Sequence, residues 1–328
     1  MEAIVPCTED QCRQYLDALA VFNALIAAKK DLAEVRGSMI WREVAGKTYL
    51  VRTSTTGAQK SLGPDSDDNR AIYTRFMDRK ERATTRHKAL ADKLTTMQRR
   101  NKADLVGRVP NVVISVLAAL DQAGVGDDLL TVGTHALYAY EAACGVRVDS
   151  SAMATRDIDL LYDTRKHLRF ISAMKRLDTS MIGVLRKADK TFRVRPDQLQ
   201  TAVNDDGFEV DVIRRMARDG DPHPLRMTAD AEDLWAVQVP SGNRLLSGRR
   251  FEQMVVGQNG AMALMRTVHP LDFIQVKNEL ADAPTRDPLK RRKDRMQADV
   301  VAHLWDEYLQ HMQRHEQDGA APPEAPQN

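Results

Sequence analysis

Asp157 and Asp159 stand two positions apart in the run Thr155-Arg156-Asp157-Ile158-Asp159-Leu160-Leu161-Tyr162. In an extended strand, side chains alternate between faces, so the two carboxylates point one way and Ile158 and Leu160 point the other. Like charges held this close repel, which favours exposure to solvent, a shared proton or a cation between them. Mg2+ takes oxygen ligands of this type. The bland reading of the pair is a solvated strand end, and further residues must converge on it before a metal is implied.

Two further features do. Leu129-Leu130-Thr131-Val132 reads as a short strand, and Gly133-Thr134 sits where that strand turns into a helix through Ala136 to Ala143. Backbone N–H groups at such a turn, together with the helix dipole, suit a phosphate. Downstream, Gly207-Phe208-Glu209-Val210-Asp211-Val212-Ile213 alternates as a strand and offers Asp211 as a third carboxylate, with Glu209 on the same face. Three carboxylates and a phosphate cradle describe metal-assisted phosphoryl or nucleotidyl transfer.

The elements that must position these groups are legible in outline. A chain of 328 residues, 43% hydrophobic and 29% charged, can bury a sizeable core and accommodate about two domains. Apolar positions at helical spacing predict a helix from Asp10 to about Val35, then strands at Ser38 to Val44 and Lys47 to Ser54 around an Ala45-Gly46 turn. A third strand near Gln59 to Leu62 precedes a basic helix over about residues 69–100. Beyond Pro110 the composition turns apolar, placing a boundary near residues 105–111. A hairpin with an Asn259-Gly260 turn spans Phe251 to Thr267, and helices start at Pro270 and Pro288, each with Pro in its first turn. The expected domains are an N-terminal helix, meander and basic helix (1–108), a core (109–268), C-terminal helices (269–315) and a disordered tail rich in Ala, Pro, Glu and Gln (316–328).

Composition also excludes. Cys7, Cys12 and Cys144 are too few and odd in number for a disulfide framework, which suits a reducing cytoplasm, and they lack zinc-ligand spacing. No apolar run is long enough for a membrane span, and the first residues have no signal-peptide character. Neither a Ser-His-Asp order nor a nucleophilic Cys context suggests covalent catalysis.

In the order Gly133-Thr134, Asp157-x-Asp159, Asp211, the chain resembles the DNA polymerase beta-like nucleotidyltransferase superfamily. More narrowly, Gly133 to Glu141, Thr155 to Leu161, Phe208 to Val212 and Pro270 to Ala298 are similar to a bacterial family of uncharacterised nucleotidyltransferase-like proteins. Met39-Ile40-Trp41, Thr48 to Arg52 and Lys60 to Gly63 extend the likeness to the N-terminal part. Thr134 departs from the usual Ser but keeps the hydroxyl, and the stretch Cys144 to Ala154 is expected to loop out.

The resemblance implies an α+β fold: a small mixed β-sheet nucleotidyltransferase core flanked by helices, with a helical C-terminal end. It implies a Mg2+ (or Mn2+) site at Asp157, Asp159 and Asp211, and an NTP as substrate. Nucleotide binding would involve Gly133 and Thr134, with Lys277, Arg286 and Lys290 neutralising the leaving pyrophosphate. The acceptor would be RNA, a protein or a small molecule. A reading of another class is a non-catalytic nucleic-acid-binding or regulatory module that keeps the fold, supported by the 69–100 basic helix. Against that stands the plain alternative that the helix's basic face only keeps it soluble.

Overall fold

The computed structural model describes residues 4–218 and 220–312; the tail expected over 316–328 lies outside them. The chain forms two compact units, one of residues 13–106 and the other of residues 1–12 with 107–328. No described helix is long and apolar enough to cross a membrane.

After a short strand β1 (Ile4–Pro6), helix α1 (Glu9–Glu34) leads into the smaller unit, where β2 (Ser38–Val44), β3 (Lys47–Thr53) and β4 (Gln59–Pro64) form the expected meander and α2 (Asp67–Ala103) follows. Ser66 caps α2 by accepting from the Asn69 N–H. On α1 the buried positions are Gln14, Ala18, Val21, Leu25 and Ala28, and on α2 they include Ala83, Met97 and Asn101. Spacings of four and three are those of two helices packed side by side. The pairing is antiparallel: Gln14 donates to Asn101 at one end, while Arg86 binds Asp31 and Arg79 binds Glu34 at the other. Tyr73 and Phe76 of α2 hold the meander, through Trp41 and Arg52 respectively.

The larger unit is a mixed sheet with helices. In chain order it comprises α3 (Asn111–Ala123), β5 (Leu129–Val132), α4 (Leu137–Cys144), β6 (Val146–Val148), α5 (Ser150–Met153) and β7 (Asp157–Tyr162). Next come α6 (His167–Leu177), α7 (Met181–Ala188), β8 (Arg193–Arg195), β9 (Gln198–Val203), β10 (Glu209–Arg215), β11 (Leu225–Arg226) and β12 (Trp235–Val239). Helix α8 (Gly242–Ser247), the hairpin β13 (Arg250–Val256) and β14 (Met262–Val268), α9 (Pro270–Asp282) and α10 (Pro288–Leu304) complete it. The sheet order is β11-β12-β10-β7-β5-β14-β13, with β9 also paired to β10 and β8 to β9. The fold class is thus the α+β one expected.

Alternation fixes which way the central strands face. Ile158, Leu160, Val210 and Val212 are at most 1% exposed, so one sheet face is fully committed to the core. Burying side chains of this size contributes about 1.5–3 kcal/mol each. The opposite face at the start of β7 and β10 is left to Asp157, Asp159 and Asp211. One expectation fails here: the stretch after Cys144 does not loop out. Val146–Val148 pairs antiparallel with Ile4–Pro6, and Val146 and Val148 are buried, because their apolar side chains find a partner strand far away in sequence.

Candidate active site

Strands β7 and β10 run parallel, and their register sets Asp157 opposite Glu209 and Asp159 opposite Asp211. Directly opposed residues share a face, so the register alone brings two carboxylates side by side and the strand period adds the third. Ligand oxygens of Asp157, Asp159 and Asp211 all lie within 4.8 Å of one another, and all three residues are partly buried. Among the described residues this is the one group of three or more acidic, His or Cys side chains so gathered.

One carboxylate on each strand is held by a threonine hydroxyl. The Thr155 hydroxyl donates to Asp157 Oδ1, and the buried Thr201 hydroxyl on β9 donates to Asp211 Oδ1. Burial pushes the Asp159 carboxyl up to about 7, with the charges of Asp157 and Asp211 adding to the effect and Lys277 and Arg286 opposing it. Burial also raises Asp211, against the hydrogen bond from Thr201. A cluster of this kind repels itself unless protons or a cation intervene. Glu209 is engaged elsewhere, 2.7 Å from Arg195 Nη1.

Strand β5 is antiparallel to β7 with Val132 opposite Asp159, so Gly133 follows immediately beside the acids. Its φ is +68°, and a Cβ there would lie 2.5 Å from Asp159 Oδ2. Glycine is required twice over, by conformation and by space. Residues Gly133–Ala136 form a tight turn before α4. The Thr134 hydroxyl accepts from Gln297 Nε2 at 3.0 Å, and Gln297 also donates to the Ala152 carbonyl at 2.7 Å. His135 is buried between Tyr138 and Phe208, and burial depresses it to about 4. The ring is therefore neutral, with the Asp157 charge acting against the effect of burial.

Helices α9 and α10 close over this end of the sheet. Lys277 Nζ and Arg286 Nε bind the two oxygens of one carboxylate, Asp294, at 2.8 and 2.5 Å. Asp294 is 2% exposed and Lys277 8%. Lys293, the next residue back along α10, donates to the Ala154 carbonyl at 2.7 Å. Burial and then the Lys277 charge lower Lys293, while Asp157 acts against them. Lys290 is exposed on the first turn of α10, where its backbone N–H is capped by Asp287. The structure thus brings Asp157, Asp159, Asp211 and Gly133 together, sets Thr134 one residue on, and places Lys277 and Arg286 within electrostatic reach of Asp159.

Thr155, Thr201, Lys293, Asp294 and Gln297 had no role expected from sequence. On α10, Gln297 is the i+4 neighbour of Lys293 and the i+3 neighbour of Asp294, and Asp294 and Gln297 share the buried side. The available signal was two uncharged or acidic residues on the apolar side of an otherwise basic helix.

The donor set fits a hard divalent cation: carboxylate oxygens only, without Cys or His, clustered at a net negative charge. No curated protein and no solved structure matches the chain. A family model described as nucleotidyltransferase matches residues 111–321, which contain every group just described, and the chain belongs to the nucleotidyltransferase family.

Proposed function

We propose that the chain is a metal-dependent nucleotidyltransferase of the polymerase beta-like kind, moving a nucleoside monophosphate from an NTP to an acceptor hydroxyl. The observation that carries this reading is the convergence of Asp157, Asp159 and Asp211 on one sheet face beside the Gly133 turn. Mg2+ or Mn2+ held by these carboxylates would supply charge neutralisation for the triphosphate and lower the pKa of the attacking hydroxyl.

The chain's own groups divide the remaining work. Gly133 lets the backbone approach the acids without a side chain between, leaving the turn's N–H groups for phosphate oxygens. Lys277 and Arg286, fixed by Asp294, set a positive potential beside Asp159 without being mobile ligands. Lys293, next to Asp157, is placed to meet a phosphate oxygen. Asp211, made more basic by burial, receives the acceptor proton as the acceptor oxygen bonds to the α-phosphorus and the bond from the α-phosphorus to the bridging oxygen breaks. Pyrophosphate leaves, and atoms and charge balance with that proton on Asp211.

Incubation with each α-labelled NTP, Mg2+ and pools of RNA, protein and metabolites tests the reading, with mass spectrometry of labelled species. Label transfer by the wild type and its loss in Asp157→Asn are expected. Absence of transfer from every NTP to every pool would count against catalysis and favour the module that keeps the fold without the chemistry.

A further inference from the structure

The charge of the chain is divided unequally between its units. Residues 13–106 contain nineteen Lys and Arg against eleven Asp and Glu, a net charge of +8 in a chain whose total is +2. The remaining residues therefore carry −6. Such asymmetry points to a polyanionic partner for the basic part.

On α2 the cations are arranged in a line. At about 100° per residue, Arg75, Arg79, Arg82, Arg86, Lys93 and Arg100 fall within roughly 60° of helical arc. They occupy the flank next to the buried stripe, and all are exposed. The acids in the body of the helix, Asp78, Glu81 and Asp92, all fall outside that arc. Arg79 and Arg86 are engaged by Glu34 and Asp31. Arg75 and Arg82 reach only carbonyls of their own helix, and Lys93 and Arg100 have no carboxylate partner among the described residues. For Lys93 the reason lies on α1: the antiparallel pairing sets it opposite the stretch from Ala18 to Lys30, which has no acidic residue.

The line is about 37 Å long from Arg75 to Arg100 at 1.5 Å per residue. One turn of duplex DNA spans about 34–36 Å. The one other residue within that arc between Arg75 and Arg100 is Met97, which is buried and accepts from Gln14 of α1, so no exposed large apolar side chain stands ready there to enter a bilayer. A linear polyanion matches this surface better than a membrane does. We propose that the Arg75–Arg100 flank of α2 docks the phosphodiester backbone of a nucleic acid, with Arg75, Arg82, Lys93 and Arg100 as the neutralising groups. The docking needs no catalysis and stands apart from the transfer reading.

The test uses the full chain and fluorescein-labelled RNA and DNA, single-stranded and duplex, with anisotropy read from 50 to 300 mM KCl. The comparison is between wild type and the quadruple variant Arg75→Gln/Arg82→Gln/Lys93→Gln/Arg100→Gln. A second variant, Lys60→Gln/Lys88→Gln/Arg99→Gln/Lys102→Gln, removes equal charge off the flank, and circular dichroism confirms folding of both. Each phosphate that is no longer neutralised lowers the slope of log affinity against log salt by about 0.9 on duplex DNA and about 0.7 on single strands. The flank variant is expected to show a slope smaller by at least two such steps and to bind at least tenfold more weakly at 100 mM salt, the off-flank variant changing far less. Comparing the probes sorts RNA from DNA. Equal weakening in both variants, no binding by the wild type at 50 mM salt, or binding only to anionic-lipid vesicles would overturn the proposal. Asp157→Ala/Asp159→Ala is expected to bind as the wild type does, which keeps docking distinguishable from catalysis; loss of binding there would also overturn it.

Discussion

Asp159 and Asp211 are direct neighbours across the parallel pair β7 and β10, and that register makes a metal-sized cluster out of residues 52 positions apart. Everything else at the site either presses on this pair or relieves it.

The pressure has a pH signature. Asp159 is raised from its ordinary value near 3.8 to about 7, so the folded chain holds this proton more tightly than the unfolded chain does. Its contribution to stability is complete below about pH 4 and is lost as pH rises through about 7. At about 1.4 kcal/mol per unit, with some discount for partial solvent access, the loss is of the order of 2–4 kcal/mol. In metal-free buffer, Asp159→Asn is expected to be more stable than wild type at pH 8 and no better at pH 4, by urea denaturation. Equal stability differences at both values would contradict the assignment.

Mg2+ held by the three carboxylates, as proposed, would compete with that proton. Its stabilisation of the wild type should therefore grow between pH 6 and pH 8, read as the shift in thermal midpoint with and without chelator. A shift independent of pH would mean the ion binds elsewhere.

Gly133→Ala introduces a Cβ at 2.5 Å from Asp159 Oδ2 and places it at φ +68°. The conformation alone costs about 1–2 kcal/mol. Lower stability and loss of the Mg2+-dependent shift are expected, since either the turn or Asp159 must move. A variant with full metal response would show that the close approach is not needed.

Asp294→Ala strips the shared carboxylate from Lys277 and Arg286, leaving two cations without their partner under α9 and α10. Removing one partner of a buried ion pair costs about 3–5 kcal/mol. Chemical denaturation should show a loss in that range. A loss below about 1 kcal/mol would indicate that solvent already screens the cluster.

Thr201→Val keeps shape and removes the hydroxyl that donates to Asp211. That bond holds the Asp211 pKa down against burial, so its removal raises it further. The acidic limb of the transfer rate is expected to move to higher pH, with the alkaline limb unchanged. No movement would argue that Asp211 does not take the acceptor proton.

Local pattern carried a good part of this. The alternation of Asp157-Ile158-Asp159-Leu160 and of Glu209-Val210-Asp211-Val212 was enough to name strands, faces and the three carboxylates, because strand period is a local property. The register that opposes Asp159 to Asp211 is non-local and left no mark in either segment. Strands β8 and β9 went unread because Arg193–Val203 carries mixed polar residues that pairing with each other and with β10 makes extended, and β12 is a short, mostly apolar run, Trp235–Val239, that only its place beside β10 identifies as a strand. Asp294 and Gln297 look like surface residues in a basic helix, and only tertiary packing buries them. The basic helix was legible as charge, but the division between Arg79 and Arg86, which bind α1, and Lys93 and Arg100, which do not, required the antiparallel pairing.

Mn2+ binding followed by electron paramagnetic resonance, with a non-hydrolysable NTP analogue present, probes the carboxylate cluster most directly. The wild type is expected to remove free Mn2+ from solution stoichiometrically, whereas Asp157→Asn/Asp159→Asn, folded by circular dichroism, is not. Equal Mn2+ uptake by both proteins would contradict a metal site at these residues.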